Sequence, residues 1–116
     1  KKLAENKISL NGQIKTIDPV GYLDMVALEK NAHIIATDSG GVQKEAFFYG
    51  VPCITLREET EWIELVKSGA NILVGSDKEK IMNSMVKNFN KFSTKKLYGE
   101  GTSANLIIKK IIKVFN

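Results

Sequence analysis

At 116 residues the chain is one domain or part of one, and it is short for a complete two-domain enzyme. Its 43% hydrophobic and 26% charged residues belong to a folded globular chain and argue against disorder. The apolar runs are a few residues long, far from the roughly 20 that span a bilayer, and no basic segment followed by an apolar one opens the chain, so a cytoplasmic protein is expected. The single cysteine, Cys53, cannot form an internal disulfide and lies in an apolar run beside Pro52, where core packing is expected. One histidine and one cysteine cannot build a zinc site, and no metal or cofactor is expected.

The net charge of +4 is uneven. Residues 1–76 carry 8 basic and 10 acidic side chains, whereas residues 77–116 carry 9 lysines against 3 acids. These lysines come without arginine and fall mainly on the polar faces of two helical patterns. A solvated surface is the expected role, not nucleic-acid binding.

Residues 1–11 are polar and begin without an initiator methionine, so the chain is expected to start inside a longer protein. Residues 14–17, IKTI, alternate apolar and polar and predict a short strand. Asp18 then reads as an N-cap and Pro19 as the first residue of a helix whose apolar positions are Tyr22, Leu23, Val26 and Ala27, closing at Asn31. The apolar run 33–37 suits a parallel strand covered on both faces. A second helix is predicted over 40–49 with Gly50 as its left-handed cap, followed by a strand over 51–56. Residues 57–59 form a polar loop, Thr60 caps a short helix over 61–68, and 71–74 form the next strand.

Asp77 caps a helix running to about Phe92 with Ile81, Met85, Val86 and Phe89 on its core face. A linker over 93–101 leads to a last helix from about Ser103, whose apolar side carries Ala104, Ile107, Ile108, Ile111, Ile112 and Phe115 and needs a partner surface. Alternating strands and helices imply right-handed crossovers and a parallel sheet. Ligands of such sheets bind beyond the carboxyl ends of the strands, where Asp38–Gly41, the loop from Arg57 to Glu61 and the residues after Val74 should lie.

The first of these segments carries the chemistry. A helix start leaves backbone N–H groups unpaired at the positive end of the helix dipole, which attracts an anion. Gly40 and Gly41 allow a phosphate close to the backbone, and the Ser39 hydroxyl adds a donor. Glu45 sits little more than a turn into the helix and leans back toward its start, where a carboxylate suits the paired hydroxyls of a ribose. Phosphate donors and a hydroxyl acceptor on one helix start favour a nucleotide; the bland alternatives are a capped tight turn and a surface glutamate.

Arg57 could meet a phosphate or pair with Glu58, Glu59 or Glu61 at the surface. Trp62 reads as a packing anchor, and His33, at the opposite end of its strand, as structural. No Ser-His-Asp grouping, GxxxxGK[ST] loop or GxGxxG fingerprint is present.

TDSGGVQKEA from Thr37 to Ala46, GVPCITLREETEW from Gly50 to Trp62 and SGANILVGSD from Ser68 to Asp77 together resemble the non-hydrolysing UDP-N-acetylglucosamine 2-epimerase family. The similarity reaches upstream to DPVGYLDMVAL, Asp18 to Leu28, and downstream to YGEG at Tyr98. The resemblance implies a GT-B-like enzyme of two Rossmann-like α/β domains with the active site between them. This chain would be the later, UDP-binding part of the second domain, its final helix, about 103–115, packing across to the missing N-terminal domain.

Ser39, Gly40 and Gly41 would hold the UDP phosphates, Glu45 the ribose, and Val20 and Met25 would border the uracil. Arg57, Thr60, Glu61 and Glu64 match the family's REXTEXXE-like loop and would lie at the cleft edge. Trp62-Ile63 stands where many members have Arg-Pro, which points to a modified sugar such as a UDP-2,3-diacetamido uronic acid. The family reaction resembles elimination of UDP to a glycal and re-addition with C2 inverted. Its acids, bases and histidine have no counterpart here, so the chain alone should be inactive, with a homodimer expected of the full-length enzyme. The alternatives are the nucleotide-binding domain of a GT-B glycosyltransferase and a non-catalytic nucleotide-binding module.

Overall fold

The computed structural model of the protein describes residues 2–10, 12–87, 89, 92 and 97–115. Its elements run α1 (Lys2–Glu5), α2 (Tyr22–Asn31), β1 (Ile35–Thr37), α3 (Gly40–Tyr49), β2 (Cys53–Thr55), α4 (Ile63–Lys67), β3 (Asn71–Leu73), α5 (Lys78–Met85) and α6 (Ser103–Phe115). The strands form a parallel sheet in the order β1-β2-β3. Ile35 faces Cys53 and Cys53 faces Asn71 across the ladder, and the register continues to Thr37, Thr55 and Leu73. A helix lies between each pair of sequential strands, as a parallel connection requires. This is the α/β architecture expected from the alternation of apolar strands and helical patterns.

Burial concentrates where sheet and helices meet. Ala46, Phe47, Val51, Cys53, Ile54, Leu65, Ala70 and Val74 are buried. Phe47 is the largest of these, with its ring stacked on Phe92 at 5.9 Å and edge-on to Tyr98 at 5.7 Å. α3 ends where predicted: Gly50, at φ 73°, takes the left-handed conformation that costs a residue with a Cβ about 1 kcal/mol, and its N–H returns to the carbonyls of Ala46 and Phe47.

Cys53 is a core residue, 1% exposed, and burial pushes its thiol up to about 11. At neutral pH the thiol is therefore neutral in the folded chain. Ellman's reagent should leave it unmodified in buffer and titrate one thiol per chain in 6 M guanidinium, since the thiolate is the nucleophile. Rapid modification of the native chain would contradict this burial.

Four expectations are corrected. Residues 14–17 are not a strand: Ile14 and Ile17 are 54% and 56% exposed, and the sheet supplies the segment with neither a ladder partner nor a covering face. α2 starts at Tyr22, not at Pro19, because Gly21 is extended and the first helical bond runs from Met25 N–H to Gly21 O. Thr60 does not cap α4, which begins at Ile63 after Trp62; its hydroxyl accepts from Trp62 N–H inside the loop. α5 has the predicted Asp77 cap, which accepts from Lys80 N–H, but stops at Met85. It turns Ser84 and, in part, Ile81 inward, leaving Met85 and Val86 exposed, while Phe89 and Phe92 lie partly buried beyond its end. Much of the predicted 93–101 linker, residues 93–96, falls outside the described residues.

α6 has the predicted start and a strongly amphipathic sequence, yet all of its residues are exposed. Among the described residues nothing covers Leu106, Ile107, Ile108, Ile111 and Ile112.

Candidate functional site

The carboxyl ends of β1 and β2 open onto one corner. Ser39 N-caps α3 in an extended conformation, and its Oγ accepts from Val42 N–H at 3.4 Å. Its own N–H donates to Thr37 Oγ1 at 3.1 Å, tying the cap to the last residue of β1. The first two N–H groups of α3, from Gly40 and Gly41, have no acceptor within the helix. With the Ser39 hydroxyl proton still available, they leave a compact set of donors at the positive end of a helix of 10 residues.

Glu45 lies half-buried further along α3, and the Tyr22 hydroxyl donates to its Oε1 at 3.4 Å. That contact brings the start of α2 beside the corner. Glu29 of α2 is 3% exposed, and both its carboxylate oxygens lack a partner among the described residues. Burial first, and then the charge of Glu45, raise the Glu29 carboxyl above its ordinary range. Tyr49 is likewise raised, chiefly by burial and then by Tyr22, Glu45 and Glu29, so these four side chains share the seam between α2 and α3.

The loop after β2 folds over the start of α3. Trp62 Nε1 donates to Gly40 O at 2.9 Å, and the Trp62 ring packs against the Phe47, Leu65 and Ala70 cluster, the anchoring role expected of it. Lys44 Nζ sits 4.2 Å from the centres of both the Trp62 and Tyr98 rings. Arg57 pairs with Glu61 at 3.1 Å, and both side chains are well exposed, so the pair itself contributes at most about 1 kcal/mol. Glu61 leans over Gly40: a Cβ there would come within 2.5 Å of its carboxylate. The glycine thus serves a close approach of protein to protein as well as leaving backbone open. At the other end of the loop Gly75 N–H donates to Arg57 O at 3.1 Å, and Gly75 combines φ 58° with a Glu58 carboxylate packed where a Cβ would go.

The loop therefore reaches the start of α3 through Glu61 and Trp62 at Gly40 and through Thr60 at Gln43, with Arg57 attached by its pair with Glu61. Ser39, Gly41 and Glu45 belong to the same helix or its cap. Glu64 accepts from the Tyr98 hydroxyl at 2.6 Å, a bond that holds its carboxyl below the ordinary range. Val20 and Met25 flank Tyr22 at the start of α2, 40% and 39% exposed. His33 is at the far, amino end of the sheet, where it lines a cavity of about 270 Å³ with Ile34, Pro52, Met85, Lys87 and Phe89.

Sequence reasoning missed Tyr22 and Gln43. Tyr22 has the spacing of a packing residue, and its contact with Glu45 joins residues 23 apart in the chain. Gln43 left a legible signal: with Ala46 and Phe47 it completes the i, i+3, i+4 face of α3, so a polar amide was bound for the interior.

The sequence profile of the UDP-N-acetylglucosamine 2-epimerase family matches residues 1–112. The chain belongs to the UDP-N-acetylglucosamine 2-epimerase family. A UDP-N-acetylglucosamine 2-epimerase homolog of Methanococcus maripaludis is 55% identical over 105 residues, 89% of this chain and 29% of that relative. The UDP-2,3-diacetamido-2,3-dideoxy-D-glucuronate 2-epimerase of Pseudomonas aeruginosa is 44% identical over 110 residues, 93% of this chain and 31% of that protein. Among solved structures, the Methanocaldococcus jannaschii UDP-GlcNAc 2-epimerase in complex with UDP-GlcNAc and UDP superposes with a TM-score of 0.73 at 44% identity, covering 97% of this chain and 32% of that one. The chain thus spans about 30% of the length of these epimerases.

Proposed function

We propose that the chain is the UDP-binding part of a sugar-nucleotide 2-epimerase, an isomerase that interconverts UDP-GlcNAc and UDP-ManNAc or their modified relatives. The observation that carries this is the set of donors without an intrahelical acceptor at the start of α3, with the Glu45 carboxylate on the same helix. Ser39, Gly40 and Gly41 would take the diphosphate, Glu45 the ribose hydroxyls, and Val20 and Met25 the edge of the uracil. Arg57, Thr60 and Glu61 would face the sugar side of the cleft. A cradle of this kind retains UDP while its bond to the sugar is broken, which elimination and re-addition require. The P. aeruginosa relative is named for a diacetamido uronic acid and the M. maripaludis and M. jannaschii relatives for N-acetylglucosamine, so both sugars belong to this reading.

In this reading the groups that move protons at C2 come from an N-terminal domain, and the 116 residues alone do not epimerise. The apolar side of α6, uncovered here, is the natural seat for that domain. The full-length enzyme would be a cytoplasmic homodimer that needs no metal or cofactor and binds no nucleic acid; among the described residues no helix is long and apolar enough to cross a membrane.

Calorimetric titration of the chain with UDP tests the site, and Gly41→Ala sharpens the test. A Cβ at Gly41 meets only Ser39 Oγ, at 3.8 Å, so the fold accepts it. Alanine inside a helix is favoured over glycine by about 0.5–1 kcal/mol, so the variant should be more stable. The same methyl group intrudes where a phosphate would approach, and UDP affinity should drop about tenfold, equivalent to ~1.4 kcal/mol. No UDP binding by the parent chain, or unchanged affinity in a stabilised Gly41→Ala, would remove the diphosphate from this corner.

A further inference from the structure

We propose that Gln43 is a positioning residue that holds the Arg57–Trp62 loop against the start of α3 and so sets the geometry of the nucleotide corner. The proposal rests on the reading of that corner as a UDP site. Gln43 is 0% exposed. Its Oε1 accepts from two directions: from Thr60 Oγ1 in the loop at 2.7 Å, and from Asn71 Nδ2 at the start of β3 at 3.1 Å. Asn71 Oδ1 accepts in turn from Thr55 Oγ1 of β2 at 2.7 Å. A continuous polar chain, Thr55–Asn71–Gln43–Thr60, therefore runs from the sheet, through α3, into the loop.

The loop end of this chain closes on the corner. Thr60 Oγ1 accepts from Trp62 N–H at 3.1 Å, and Trp62 Nε1 donates back to Gly40 O at 2.9 Å. Gly40 and Gln43 occupy the first turn of one helix, so Gln43–Thr60–Trp62–Gly40 is a closed circuit of contacts. Glu61, between Thr60 and Trp62, is held by it over Gly40, and Arg57 follows through its pair with Glu61. Surface ion pairs do not order a loop by themselves. Two donors on one buried amide oxygen do, because an interior hydrogen bond is costly to leave unmade. The Nε2 of the same amide is buried without a partner among the described residues, so the oxygen contacts carry the link. Thr55 lies at the sheet end of the same chain, three partners away from the loop, and supplies an internal control.

Trp62 is the only tryptophan of the chain and reports on the loop directly. The expected results are that Gln43→Met and Thr60→Val each shift Trp62 emission to the red and weaken UDP binding about tenfold, the scale of one lost buried bond. Thr60→Ser keeps the hydroxyl and should restore both readouts. The Gln43→Met/Thr60→Val double variant should lose no more than the worse single, because both cut the same link. Thr55→Val should lower the melting temperature while leaving emission and UDP affinity at the parent values.

Emission and affinity unchanged in Thr60→Val, or shifted as strongly in Thr55→Val, would overturn the proposal and reduce Gln43 to a packing residue. If Gln43→Met does not fold, the three threonine variants decide the question. If the parent chain does not bind UDP, the nucleotide reading fails on its own, and the emission shifts and their non-additivity still determine whether Gln43 positions the loop.

Discussion

Glu45→Ala should lower the affinity of the chain for UDP by about 10- to 100-fold without lowering its stability. A carboxylate that accepts from a ribose hydroxyl contributes about 1.5–3 kcal/mol per bond. Loss of one such bond gives about the stated range. The stability half of the prediction follows from Glu29. That carboxyl is buried without a partner among the described residues, and the charge of Glu45 adds to the burial that raises it. Removing Glu45 removes a like charge and leaves only the exposed Tyr22 hydroxyl without its contact, so denaturation should be unchanged or shifted slightly toward stability. The hydroxyls can be deleted from the other side as well. A 2′,3′-dideoxyuridine diphosphate should bind the parent and Glu45→Ala equally, since the interaction is already absent. Calorimetry with the two ligands and two proteins checks this, and equal affinity of both proteins for UDP would take Glu45 out of the site.

The second large effect is on the fold. Phe47→Ala should cost about 3–5 kcal/mol, the usual cost of truncating a buried phenylalanine. Phe47 is 1% exposed and touches three other rings, Phe48, Phe92 and Tyr98, besides lying in the cluster with Leu65 and Ala70. Against a total stability of about 5–15 kcal/mol, the loss is a large part of the whole. Phe48, its 54% exposed neighbour, should cost less than about 1 kcal/mol on the same change. Urea denaturation of both variants is the check, and comparable losses would show that the aromatic cluster is not the centre of the core.

Elements with strong local signals were legible beforehand. α3 was readable from end to end because both of its boundaries are chemical: a serine whose hydroxyl caps the start, and a glycine that takes a left-handed turn at the finish. Asp77 marked α5 for the same reason. Residues 14–17 were misread because alternation specifies a surface to be half-covered, and only a neighbouring strand turns that preference into a ladder. Thr60 was misread as a helix cap because a hydroxyl beside acidic residues fits two local roles. Its choice of Gln43 and Trp62 as partners depends on how the loop folds back over α3. The far end of α5 escaped for a related reason. Periodicity gives the apolar stripe of a helix, but the sheet beneath it takes in Ser84 and leaves Met85 and Val86 outside.

By itself the amino-acid sequence determined the parallel α/β architecture, the helix start at Ser39 and the family, because strand and helix periods, cap chemistry and motif order are local properties that no packing partner needs to supply. Only the tertiary structure decided what surrounds that helix start. Tyr22 reaches Glu45, Glu61 leans over Gly40, and Gln43 joins the loop to β3 through contacts between residues far apart in sequence. Such contacts depend on how the elements pack against one another, and no run of neighbouring residues encodes that packing.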